Sequence, residues 1–551
     1  MNTRNLLLGI LLVSVTALVG CVGLKGNTAG STSSSGSQQG QGPGQTPYQG
    51  VHIPTWHNDN ARTGLNSHEV TLTPDTVNVS RFGKLFSYQV DGHVYAQPLY
   101  VSNVPIGKNL HNVVYVATEH DSVYAFDADD PAAGQLWKTS LLHSGETPIT
   151  GGNPSPWVGI TSTPVIDVAA KTIYVVGAFS GGKIRVSSLD IESGAVRAEA
   201  AVTASVPSTL PGLNGQLQLT TACLNRAALL LTQGTLFVAF GGCPHGWILS
   251  YDIGSLHQIG ARSVSPNAVG YGQYPGGGGI WGAGAGPATD DQGNIFVVTG
   301  DGPNDQQSSW GMSVLKLNRN LDIVDSFTPF DAAFLTCRDL DLGGAGVMLI
   351  PGTNNLVVGG KNSKMFVLNR GALGHQQGND AGAVAKGWYD PGAVYQQTCT
   401  DNNNNTLTGD VAGYRIYGTA AFFNGSIYVG ADPGPVKKLS EGLSIQSTAP
   451  NSFGAGSLGT TPFISANGTS NGIVWAIDHG APNSSAAVLH AYDALDLQHE
   501  LYSSAQNPAD AAGLAIKFTA PIVANGKVYL GSGQDGTTGR LDVYGILPHT
   551  R

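Results

Sequence analysis

From about residue 84 onward the chain is written in short runs of four to seven apolar or alternating residues, broken by glycine, asparagine, aspartate and proline. Such runs predict β-strands joined by tight turns. One unit repeats: a small residue or proline, an apolar strand, a turn often holding Asn-Gly, a second strand rich in Val, Tyr and Gly, and a third ending near Asp. In the first copy these are Gln97 to Val101, Val113 to Ala117 and Val123 to Asp127, closing with Leu136-Trp137. The second runs through Thr163 to Ile166, Ile173 to Val176 and Val186 to Asp190, and the third through Leu229 to Leu231, Leu236 to Ala239 and Ile248 to Asp252. The fourth holds Ile295 to Thr299 and Val314 to Leu317, the fifth Asn355 to Gly359 and Met365 to Asn369, and the sixth Ile427 to Gly430 and Val436 to Leu439. Val474 to Ile477 with Leu489 to Asp493 form the seventh, and Val528 to Gly531 with Leu541 to Tyr544 the eighth.

Eight copies at a spacing of roughly 60 residues predict an all-β chain folded as an eight-bladed β-propeller. The last copy stops after its third strand, and an unassigned strand, Lys84 to Val90, precedes the first. Pairing that strand with Leu541 to Tyr544 closes the ring and removes an open sheet edge. A β-helix or a row of sandwiches gives the early strand no place.

Composition sharpens this picture. Charged residues are 12% of the 551-residue chain, about half the usual share, whereas glycine, at 76 residues, is about twice its ordinary frequency. Glycine supplies the positive φ that tight turns need. The formal charge is -10, from 27 basic and 37 acidic residues, with no Lys/Arg cluster, so nucleic acid is not an expected partner.

The N-terminus follows a different rule. Arg4 and the apolar run Leu6 to Val19 read as a targeting segment too short to span a bilayer as a helix. It ends in Leu18-Val19-Gly20-Cys21, which resembles a bacterial lipobox and implies cleavage before Cys21 and lipid attachment to it; an ordinary secretory signal or an uncleaved anchor is the alternative. Val22 rather than Asp after the cysteine implies the outer membrane. The expected domains are a signal peptide at 1–20, a lipidated flexible linker at 21–50 and the propeller at 51–551. The Gly/Ser-rich linker has almost no apolar content with which to offset its ordering entropy, and would hold the body on the order of 30 Å from the lipid.

Four cysteines remain for an oxidising compartment. Cys223 and Cys243 flank two strands that turn at Gln233-Gly234, which places them face to face in a hairpin. Cys337 with Cys399 follows by subtraction; two separate loop thiols fit as well.

Three parts of the sequence together resemble the quinoprotein alcohol dehydrogenase family: the entry segment Trp56-His57-Asn58-Asp59-Asn60-Ala61-Arg62-Thr63-Gly64, the repeated blade unit, and the stretch Gly276 to Asp305. The resemblance covers Trp56 to the C-terminus. It implies an eight-bladed propeller of the quinoprotein alcohol dehydrogenase-like type, holding pyrroloquinoline quinone (PQQ) and Ca²⁺ on its axis. Carried over residue by residue, Trp281 falls on the tryptophan on which the quinone stacks. Asp301, in Thr299-Gly300-Asp301-Gly302, falls on an asparagine that ligates Ca²⁺. Asp339, in Arg338-Asp339-Leu340-Asp341, falls on the general base, and Lys361 on the basic residue that hydrogen-bonds the quinone carbonyls. These types suit the chemistry, because a flat cofactor needs an aromatic face, hydride abstraction needs a carboxylate for the hydroxyl proton, and a hard cation needs oxygen ligands.

The sequence also departs from that family. It has no adjacent cysteine pair, no glutamate in Val176 to Lys183, and no Cys-x-x-Cys-His haem motif. Each retained residue has a plainer use as well: Trp281 as a cap on the channel, Asp301 as a turn residue, and Lys361 as the ion-pair partner of Asp339 or Asp341. His57, His93, His111 and His120 are scattered and read as turn or surface residues, and Asp401 to Asn405 as a solvated loop. Two functions follow. One is a lipid-anchored extracytoplasmic propeller with a degenerate central site, binding a protein partner or a small polyol or sugar at its mouth. The other is a PQQ- and Ca²⁺-dependent alcohol or sugar dehydrogenase that passes electrons to a separate acceptor.

Overall fold

The computed structural model describes residues 46 to 551 except 152–153, 221–222, 243 and 271–275. The signal segment, Cys21 and most of the linker therefore lie outside the described residues, as does Cys243, the partner expected for the buried Cys223.

Each repeat copy folds as one four-stranded antiparallel sheet, joined in three of the eight by a fifth short strand, and the eight sheets are the blades. Blade 1 runs Leu99–Ile106, Asn109–Ala117, Ser122–Asp127 and Gln135–Ser140, in that spatial order. Its third strand is buried at every position, whereas the fourth alternates toward solvent. Central strands lie between neighbouring blades and are covered on both faces, so they read as continuous apolar runs rather than as alternating ones. Separate apolar clusters fill the contacts between successive blades. Leu99, Val113 and Ala125 of blade 1, for example, pack with Ile173, Val175 and Leu189 of blade 2.

The ring closes as the sequence predicts. Phe82–Val90 pairs antiparallel with Gly539–Ile546, with Phe86 opposite Val543 and Tyr88 opposite Leu541, so blade 8 is built from both ends of the chain.

The entry segment has a role that its sequence does not disclose. It runs past the innermost strand of every blade and bonds to each in turn. His52–Ile53 pairs with Tyr100 and Val101 of blade 1. Ile166 N of blade 2 donates to Pro54 O, Thr289 N of blade 4 to Asn60 O, Leu349 N of blade 5 to Ala61 O, Phe422 N of blade 6 to Thr63 O, and Ile464 N of blade 7 to Gly64 O, all at 2.7 to 2.9 Å. Asn60 Nδ2 donates to Leu231 O of blade 3 and Asn66 Nδ2 to Val523 O of blade 8, each at 2.9 Å.

Arg62 sits inside this segment with no exposed surface. Its guanidinium donates to Thr55 Oγ1, Trp56 O, Leu229 O and Pro287 O. Burial lowers its pKa to about 10, which leaves it charged at neutral pH. His57 is also fully buried, with Nδ1 on Arg62 O at 2.7 Å and Nε2 on Pro462 O at 2.9 Å. This corrects the reading of His57 as a turn or surface residue, and His93 is likewise buried; one ring N–H donating to a backbone carbonyl, from each of these imidazoles, lets histidine sit in the interior.

Truncating Arg62 leaves several buried carbonyls without a donor and opens a cavity. Arg62→Ala is expected to lower the unfolding free energy by about 3 kcal/mol or more, measured by guanidinium denaturation. The exposed control Lys108→Ala should change it by less than about 0.5 kcal/mol. An Arg62 variant as stable as the control would remove the entry segment from its central role.

Candidate functional site

Loops of blades 4 and 5 meet beside a cavity that Trp281 and Lys361 line. Trp281 precedes the single 3-10 turn Gly282–Gly284 that leads into blade 4. Asp301 follows the second strand of that blade, Ile295–Val298. Asp339 and Asp341 lie between the helix Ala332–Cys337 and the turn Leu342–Gly344, on the way from blade 4 to blade 5. Lys361 follows Asn355–Gly359 of blade 5. The four residues singled out from the sequence are thus brought together, and the structure adds Asp341.

Their contacts are specific. Lys361 Nζ donates to Asp339 Oδ1 at 2.8 Å, pairs with Asp341 Oδ2, and lies 5.4 Å from the centre of the Trp281 ring. Asp341 Oδ1 accepts from the Asp301 backbone N–H at 2.6 Å. One carboxylate oxygen from each of Asp301, Asp339 and Asp341 falls within 4.8 Å of the other two. Lys361 and Asp341 are buried, whereas the Asp339 side chain is 61% exposed. Burial pulls the Lys361 ammonium down, but the charges of Asp341 and Asp339 outweigh it and hold the group above the ordinary lysine value. Asp301 is pushed up to about 10, by burial first and by the Asp341 charge second, and its Oδ1 is buried with no hydrogen-bond partner.

Glycines make this close approach feasible. A Cβ on Gly300 would sit 2.6 Å from Asp341 Oδ1 and 3.2 Å from Trp281 Nε1. Gly277 has φ +112°, and a Cβ there would sit 2.5 Å from Asp301 O. The glycine run is therefore the backbone that lets the tryptophan loop and the acidic loop touch. The expected disulfide between Cys337 and Cys399 is present; it ties the end of the helix that leads into Asp339 to the hairpin Tyr395–Thr400 and Thr406–Val411. Asp401 to Asn405 is the turn of that hairpin, capped by Asp401.

The cavity holds about 280 Å³ and is lined by Trp281, Lys361, Arg226, Lys517 and Phe518, with Pro154, Leu224, Gly241 and Gly242. The sequence reading missed Arg226, Lys517 and Phe518. Their shared signal is position: Arg226 precedes the inner strand Leu230–Thr232 and Lys517-Phe518 precedes Ile522–Ala524.

The residues present fit the quinone and cation that the resemblance implies. Trp281 offers a flat aromatic face, three cations line the cavity, and a set of three carboxylates includes an unpartnered buried oxygen.

The raised Asp301 pKa has a consequence for stability. The folded carboxyl keeps a proton that the unfolded chain releases near its model value of 3.8, so the contribution is lost progressively as pH rises from about 4 toward 10. Asp301→Asn is expected to flatten that decline and to exceed the parent by at least about 1 kcal/mol at pH 9, measured by denaturation across pH. Parallel pH profiles for variant and parent would show that Asp301 is ionised in the folded state.

No protein-family profile and no curated protein matches the sequence. Solved structures do. The quinohemoprotein alcohol dehydrogenase from Comamonas testosteroni aligns over 90% of this chain and 80% of its own, at 14% identity and a TM-score of 0.60. Quinohemoprotein alcohol dehydrogenase ADHIIG from Pseudomonas putida HK5 does so at 13% identity and 0.60, with the same coverage. A europium-containing methanol dehydrogenase aligns over 90% of this chain and 98% of its own, at 14% identity and 0.57. The strand order, the closure and these neighbours agree: in fold, the chain is a divergent eight-bladed β-propeller of the quinoprotein alcohol dehydrogenase-like type.

Proposed function

We propose that this propeller is a ligand-binding module, tethered through a lipid on Cys21 to the outer membrane of a bacterium, whose axial cavity takes a small planar ligand. The observation that carries the reading is the cavity itself, walled by the tilted pair Trp281 and Phe518, with centres 6.2 Å apart and planes at 53°, and by Lys361, Arg226 and Lys517. Apolar faces with a few convergent polar groups are what binding pockets are made of. The lack of an adjacent cysteine pair and of the expected glutamate sets this site apart from a complete quinoprotein centre.

A second reading, a PQQ- and cation-dependent alcohol or sugar dehydrogenase, draws support from the convergence of Trp281, Asp301, Asp339 and Lys361. When bound, the quinone would supply the hydride acceptor. In that reading Trp281 holds the planar group, and Lys361 Nζ offers protons to its oxygens. Asp301 and Asp341 hold a hard cation of the kind named for the europium-containing neighbour or Ca²⁺. Asp339, the exposed member, takes the proton of a substrate hydroxyl at its carboxylate.

The two readings separate in one assay on the full chain in detergent, with PQQ and Ca²⁺ added and dye-linked oxidation of alcohols and aldoses followed. Binding without turnover supports the binding module. Turnover that falls at least about 100-fold in Asp339→Asn would overturn it in favour of the dehydrogenase, and absence of PQQ binding excludes the dehydrogenase. The tether has its own test: Cys21→Ser should abolish labelling by radioactive palmitate and release the protein from the membrane fraction.

A further inference from the structure

Lys361 stands where two demands meet. Its Nζ donates to Asp339 Oδ1 at 2.8 Å and pairs with Asp341 Oδ2, over the face of Trp281 at 5.4 Å from the ring centre. The lysine side chain is 9% exposed and that of Asp341 8%, so the pair is largely closed to water. Asp341 has little else to offer, because its Oδ1 already accepts from the Asp301 backbone N–H at 2.6 Å. Asp301, the third carboxylate of the set, keeps a buried Oδ1 with no hydrogen-bond partner among the described residues.

A buried ammonium needs counter-charge, and two carboxylates with an aromatic face supply it. That structural role accounts for Asp339 and Asp341 and leaves Asp301 unserved. An ammonium has only three N–H donors, whereas a hard metal cation gathers roughly six to eight oxygens. The three carboxylates therefore suit a metal better than they suit the lysine, yet both cations ask for the same oxygens. A metal ion brought to Asp341 Oδ2 sets two positive charges against each other in a mostly buried site, where screening is weak.

We infer that Lys361 is an internal cation of the carboxylate set, and that a metal ion enters Asp301, Asp339 and Asp341 only as the ammonium leaves. The inference rests on the reading in which Asp301 and Asp341 hold a hard cation, and it concerns how that site is filled. It fixes the sign of a substitution. Lys361 opposes the metal rather than helping to hold it, so removing its charge strengthens metal binding.

The fold gives the ammonium a place to go. Lys361 lines the cavity of about 280 Å³ as well as bridging the carboxylates, so rotation about its own side-chain bonds carries Nζ from one to the other. Gly344 leaves room along the stem, since a Cβ there would stand 3.2 Å from Lys361 Cγ and 3.8 Å from its Cε. The backbone stays fixed during this exchange: Lys361 N donates to Asp341 O at 3.0 Å, and the preceding Gly360 O accepts from Ile416 N at 3.2 Å. Two positions of one side chain thus separate a lysine-filled site from one that takes a metal.

Two measurements on the full chain in detergent test this, after dialysis against a chelator. In the first, Ca²⁺ is titrated calorimetrically, and Tb³⁺ by its luminescence, into the parent and Lys361→Gln. The variant should bind at least one of these ions about tenfold or more tightly than the parent. In the second, parent lysines are acetylated with and without the ion, and mass spectrometry reads the yield at Lys361, which should rise several-fold when the ion is present. This measurement needs no variant, so it carries the decision if Lys361→Gln fails to fold. Unchanged or weaker ion binding in a folded Lys361→Gln, or a Lys361 yield that the ion leaves unchanged or lowers, overturns the internal-cation assignment while the cation reading stands. Binding of neither ion by parent or variant overturns both.

Discussion

The structure depends on fifteen residues that are not part of any blade sheet's core. The segment from His52 to Asn66 bonds to the innermost strand of each blade in turn, so eight sheets that pack only on their neighbours share one continuous central contact. A ring of blades held solely by adjacent packing has no element that registers one side against the other. Arg62 fills that role by uniting carbonyls of blades 3 and 4 and of the segment itself in a single buried guanidinium. The charge is tolerated there because each donor the fold aims inward meets an oxygen.

The candidate site inherits its precision from the same frame. Its residues stand on loops, but each loop begins or ends at a blade strand fixed by the ring, and the contacts among them are tight enough to exclude a Cβ at Gly277 and Gly300. Charge is managed in two unlike ways. Around Lys361 three carboxylates converge, and the lysine together with a retained proton on Asp301 keeps the net charge small. Around Arg226, Nη1 has no hydrogen-bond partner among the described residues, and burial raises the nearby Glu119 carboxyl to about 9.

The disulfide between Cys337 and Cys399 joins these themes. It fixes the end of the short helix from which Asp339 turns out with φ +54°, on a loop between two blades where no strand pairing holds the backbone. A covalent link to the hairpin after blade 5 supplies there the restraint that strand pairing supplies elsewhere.

Fold and ring closure were legible from the chain because both rest on local patterns: strands covered on both faces must be apolar throughout, and an unmatched strand at each end of eight repeats must pair. Trp281, Asp301, Asp339 and Lys361 were legible because the short motifs around them resemble those of the quinoprotein alcohol dehydrogenases. The sequence offered Lys361 as a partner of Asp339 or Asp341, and the structure pairs it with both; it could not reveal that His57 is an interior residue or that the entry segment touches every blade. Those facts join residues as far apart as His57 and Pro462, and no local pattern encodes such a distance. Arg226 and Lys517, 291 positions apart, became a site only when the ring brought the entrances of blades 3 and 8 to the same axis. Local periodicity decided the strands and their number; closure of the ring decided which charges face one another, because electrostatic balance depends on separation in space and not along the chain.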